Sequence, residues 1–131
     1  MLDTDTCIAL IKRQPETALR RLRSKAVGQV GISALTLAEL ANGVARSSRP
    51  RENLDALQEF VLPLDVADFD SNAALTYGQV RAALEGRGRP IGPMDTLIAA
   101  HALSLDATIV THNLREFSRI PDLRVEDWLA R

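Results

Sequence analysis

The chain has 131 residues, 46% of them apolar and 25% charged, with sixteen Lys and Arg against seventeen Asp and Glu for a net charge of −1. This length suits one domain, residues 1–131, able to bury roughly two-thirds of its unfolded surface. The balanced charge excludes a polycationic coat protein and an acidic disordered tail.

In chain order, Met1 to Asp5 reads as a very short first strand, followed by a helix over Thr6 to Arg13. Pro15 to Lys25 reads as a second helix, with Ala18, Leu19 and Leu22 on one face and Arg20, Arg21 and Arg23 elsewhere. Gly28 to Ile32 alternates as a strand. Ser33 is an N-cap for a helix over Leu35 to Ala45. Arg46 to Arg51 is a break, and Pro50 opens a helix ending near Phe60. Val61 to Val66 reads as a strand that Pro63 confines to an edge or a strand start. Asp68 or Asp70 caps a long helix to about Glu85. Gly86 to Pro93 is loop, and Met94 to Leu105 is an apolar helix. Ala107 to Thr111 has the continuous apolar character of a buried parallel strand, and Leu123 to Val125 is a last short one. Strands alternating with helices predict an α/β sandwich with a mainly parallel sheet.

Ligands of such sheets bind beyond the carboxyl ends of the strands. Six polar positions fall there from four separate segments: Asp3 and Asp5 after the first strand, Glu39 in the second turn of the helix after Ile32, Asp95 in the first turn of the helix opened by Pro93, and His112 and Asn113 after Thr111. Each has an ordinary explanation by itself, such as an acid complementing a helix dipole. Together they make an oxygen-rich pocket. Cys7 is the lone cysteine and His101 and His112 the only histidines, so a thiolate or His-rich zinc site is excluded. Clustered carboxylates select a hard cation, Mg2+ or Mn2+, and the chemistry it suits is phosphodiester hydrolysis. Nucleic acid would then need basic side chains flanking the acids. Candidates are Arg20, Arg21, Arg23 and Lys25, then Arg46, Arg49 and Arg51, then Arg87 and Arg89. His101 reads as a packing residue, while His112 lies where it could touch substrate.

Met1 to Ile8 (MLDTDTCI) resembles the opening segment of PIN-domain ribonucleases, and Ser33 to Leu40 (SALTLAEL) resembles their S-x-x-T-x-x-E-L helix. PIGPMDTLIAAHAL from Pro90 and IVTHNLREF from Ile109 are similar to the third and fourth motifs, and LRVEDW from Leu123 to the usual ending. The chain is most similar to VapC toxins of bacterial VapBC toxin–antitoxin systems. The resemblance implies a PIN-like three-layer sandwich with helices on both faces of the sheet. It implies Asp3, Glu39 and Asp95 as ligands of Mg2+ or Mn2+, with Asn113 where many members have a fourth acid. Asp5 stands where Asn is common, and Thr111 lies beside the site. The implied activity is metal-dependent cleavage of RNA, often tRNA, including the anticodon region of initiator tRNA. The implied partners are a VapB antitoxin covering the cleft and a second copy in a homodimer. Only two residues precede Asp3, so the first strand is expected to be marginal.

Three other readings are weighed against this one. Asp3-Thr4-Asp5-Thr6 fits the DxDxT of haloacid-dehalogenase-type phosphatases, but no lysine follows Lys25 to meet the phosphoryl group, and a receiver-type module lacks it equally. Asn113 also admits a degenerate PIN module that binds without cutting. No apolar run reaches the ~20 residues of a membrane span. Asp3 and Asp5 stand where a secretory signal would be basic, so a cytoplasmic protein is expected.

Overall fold

Four short parallel strands and a three-residue stub form the middle of the molecule. The computed structural model describes residues 1–130. Strand β1 (Gly31–Ser33) pairs in parallel with β2 (Asp65–Ala67), and β3 (Ile109–Val110) pairs in parallel with β4 (Val125–Glu126). The stub joins the two pairs. Leu2 N–H donates to Gly31 O at 2.9 Å, Asp3 N–H to Val110 O at 3.0 Å, and Val110 N–H to Met1 O at 2.7 Å. The order across the sheet is therefore β2, β1, Met1–Asp3, β3, β4, all parallel.

Among the described residues seven helices surround it: α1 (Thr4–Ile11), α2 (Glu16–Arg23), α3 (Ala34–Ala45), α4 (Pro50–Val61), α5 (Ser71–Gly86), α6 (Pro93–Ser104) and α7 (Leu114–Phe117). Successive strand residues point to opposite faces, so Ile109 and Val110 feed different cores. Val110 joins Leu2, Leu10, Ile32, Leu40, Leu57 and Trp128 under α1 to α4. Ile109 joins Val80, Leu84, Ile98, Phe117 and Ile120 under α5 to α7. The result is the three-layer α/β sandwich anticipated above.

Several boundaries differ from the expectation. Residues 1–5 make no full strand: Leu2 forms a single bridge, and α1 begins at Thr4 because Asp3 caps it, Oδ1 accepting from Thr6 N–H at 2.9 Å. The expected strand over Val61 to Val66 is displaced to Asp65–Ala67, because α4 runs on to Val61, which packs against the first core. Pro63 then lies in the turn closed by Leu64 N–H to Val61 O, and β2 is an edge strand. The strand at residues 28–32 shortens to Gly31–Ser33, since Gly28 has φ +89° and Gln29 N–H closes a turn onto Ala26 O. Asp70, not Asp68, caps α5 through Ala73 N–H. Among the described residues no helix is long and apolar enough to cross a membrane.

Gly31 is where β1 and β2 come closest. A Cβ there would lie 2.5 Å from Asp65 O, a backbone atom that cannot step aside without breaking the pair. Gly31→Ala is expected to destabilise the fold by about 2 kcal/mol or more, read as a shifted urea midpoint.

Candidate active site

The carboxyl ends of the strands deliver acids from four elements to one place. Asp3 caps α1 and is 5% exposed. Its backbone is fixed in the sheet and its Oδ1 by Thr6, so its direction is set by the fold itself. Glu39 lies half-buried on α3, which starts where β1 ends because Ser33 Oγ accepts from Leu35 N–H at 3.0 Å. The Thr4 hydroxyl donates to Glu39 Oε1 at 2.5 Å, tying α3 to the first turn of α1. Asp95 lies half-buried in the first turn of α6, which Pro93 opens with its fixed φ.

Asp95 reports the character of the site. Its carboxyl is pushed from 3.8 up to about 6, first by burial, then by the charge and shared hydrogen bond of Glu116, then by Asp3 and Glu39. Four carboxylates thus press on one another, and among the described residues none of them is ion-paired with Lys or Arg. As they stand, no three Asp, Glu, His or Cys side chains of the described residues converge closely enough to ligate one ion. The donor set fits Mg2+ or Mn2+: all oxygen, three or four negative charges, and no competing cation.

Glu116 is the residue the sequence reading missed. It sits half-buried on α7, one turn after Asn113, and is the strongest charge acting on Asp95. The only signal in the sequence is an acid a few residues after a strand end, because the helix that carries it has just four residues. Of the residues that follow β3, Glu116 is the acid that acts on Asp95. Asn113 N-caps α7 through its backbone, its N–H donating to Thr111 Oγ1 at 2.9 Å, with no side-chain cap bond. Thr111 is fully buried and shapes this turn, as a supporting residue should. Asp5 is exposed on α1 and is not among the charges that raise Asp95. The DxDxT phosphatase reading, which needs Asp5 beside Asp3, loses its second acid.

The flanking bases are partly committed elsewhere. Arg20 pairs with Glu16, Arg49 with Glu52, and Arg21 with Glu126 while stacking over Trp128 at 5.5 Å. His112 is 63% exposed, with Nδ1 2.9 Å from Asp127 Oδ2. An apolar groove of about 460 Å³ opens beside Glu39, lined by Ile8, Ile11, Leu40, Val44 and Leu57, with Lys12 at its edge.

Asp95→Asn provides a direct test of the repulsion. A carboxyl whose folded pKa exceeds its unfolded value costs stability once ionised, and that cost disappears as pH falls through about 6 to 3.8. In chelator, the substituted protein is expected to be the more stable at pH 7.5 by about 1 kcal/mol after solvent screening. The gap should narrow in thermal melts as pH falls through that window.

The PIN domain family model matches residues 1–123. The tRNA(fMet)-specific endonuclease VapC of Salmonella typhimurium is 46% identical over 128 residues, 98% of this chain and 96% of that protein. Ribonuclease VapC2 of Rickettsia felis is 40% identical over 129 residues, 98% of this chain and 96% of that one. Among solved structures, DNA-bound VapBC from Salmonella typhimurium matches with TM-score 0.92 at 46% identity, covering 98% of this chain and 96% of that one. VapBC2 from Rickettsia felis, bound to a fragment of promoter DNA, matches with TM-score 0.90 at 37% identity, covering 98% and 97%.

Proposed function

The chain belongs to the PIN-domain family, among its VapC-type members, and from that footing we propose that it is a toxin endoribonuclease using Mg2+ or Mn2+ held by Asp3, Glu39, Asp95 and Glu116. The observation that carries the metal reading is the carboxyl of Asp95, raised to about 6 first by burial and then by the carboxylates of Glu116, Asp3 and Glu39 gathered around it. When bound, the ion supplies positive charge for the phosphate and acidity for a water. The chain's own residues do the rest. Asp3 and Asp95 sit on rigid starts of helices, and Thr4 holds Glu39 toward the same side. The protein supplies the acids from four elements, so the site exists only in the folded chain.

The substrate proposed is tRNA, with initiator tRNA first among candidates because the similar Salmonella protein is named for it. The proposed partner is a VapB-type antitoxin, as in the similar VapBC complexes. An apolar segment of that antitoxin would suit the groove beside Glu39, with an acidic side chain near Lys12. Pairing with a second copy through α5, where Leu75 is 71% exposed, completes a cytoplasmic toxin acting as a homodimer.

Purified protein incubated with initiator and elongator tRNA should cut in Mg2+ or Mn2+ and not in EDTA. Asp3→Asn, Glu39→Gln, Asp95→Asn and Glu116→Gln should each lower the rate about 100-fold or more. Asp3→Asn is informative because Asn caps a helix as well as Asp, so the charge is lost and the cap is kept. Asn113→Ala should keep much more activity than Glu116→Gln. Equal cleavage by wild type and Asp95→Asn would remove the mechanism, and tRNA binding without cutting would establish the non-cutting alternative. Expression without antitoxin should arrest growth, and Asp3→Asn should relieve the arrest.

A further inference from the structure

The imidazole of His101 lies at the centre of the molecule and is fully buried. It stands on α6, six residues after Asp95. Its Nδ1 is 2.8 Å from Oγ of Ser33, also fully buried. That same Oγ accepts the Leu35 N–H that starts α3, the helix carrying Glu39. One hydroxyl thus joins the N-terminus of α3 to the body of α6. Phe69 holds the ring edge-on, with centroids 5.2 Å apart. His101 Nε2 makes no hydrogen bond of ordinary geometry, and neither does the buried Thr36 hydroxyl one turn along α3.

Burying an imidazole is costly, and an aliphatic side chain of similar size would fill the space without that cost. Burial also pulls the ring below the ordinary histidine range, against the Asp68 carbonyl and the Asp70 and Asp68 carboxylates facing it. Fully buried, the ring has no exposed edge to meet substrate and serves as a connector.

We infer that His101 is a positioning residue: through Ser33 it fixes α3 against α6 and so sets the separation of Glu39 from Asp95. The inference rests on the metal-site reading above. Repelling carboxylates would otherwise spread by sliding these two helices, and a directional bond in a dry core resists sliding better than apolar contact does.

The test separates position from packing. His101→Asn keeps an amide where Nδ1 stands, while His101→Leu fills the volume without it. Ser33→Ala removes the same bond from the other side, and Val80→Ala is a control for core loss on α5. Mn2+ alone is titrated into each chain and followed by its electron paramagnetic resonance signal, with a thermal melt of each in chelator. His101→Leu and Ser33→Ala should bind Mn2+ about 10-fold more weakly, the scale seen when groups that orient metal ligands are removed. His101→Asn should recover most of that loss, and Val80→Ala should bind as wild type despite a comparable drop in melting temperature. If wild type binds Mn2+ and His101→Leu binds as tightly, or if His101→Asn falls as far as His101→Leu, the inference fails alone. A wild-type chain that takes up no Mn2+ overturns the metal reading and this inference together.

Discussion

Three backbone hydrogen bonds made by Met1, Leu2, Asp3 and their neighbours hold the two halves of the sheet together. Without Leu2 N–H on Gly31 O and Asp3 N–H on Val110 O, β1–β2 and β3–β4 would be separate two-stranded pairs. Isolated pairs of two or three residues are not stable in water. The same bonds carry Asp3 to the carboxyl edge and aim it. Stability and the placement of the first acid are thus one constraint, which explains how so short a stub can contribute a fixed side chain.

The cost of the site appears at Asp95. Burial first, and then the carboxylates of Glu116, Asp3 and Glu39, oppose its ionisation in the folded chain. The surrounding structure absorbs the repulsion with local ties: Asp3 to the first turn of α1, Glu39 to Thr4, and α3 to α6 through Ser33 and His101.

What could be read from the sequence followed from local rules. Ser33 before an apolar helical stretch and Pro93 at the head of α6 are local signals, and both helices start where expected. Glu39 and Asp95 inherit their placement from those starts. Strand extents were less legible, because pairs of two or three residues are defined by their partners: β1 begins only where Asp65 comes alongside, and Met1–Asp3 only where Val110 does. Glu116 was overlooked for a related reason, since α7 has four residues and too little periodicity to register as a helix.

His101 shows the opposite difficulty. Its sequence surroundings, Ala99, Ala100 and Ala102, mark it only as buried, and burial is what the structure shows. Its partner lies 68 residues away, beyond the reach of any periodicity. Ser33 is read from sequence as a cap and is one, but a cap satisfied by one backbone N–H has capacity left over. In this fold that spare capacity is taken up by the helix bearing Asp95. The chain's one buried polar side-chain link between α3 and α6 therefore falls between the two helices whose acids most need to be held at a set distance, among the described residues.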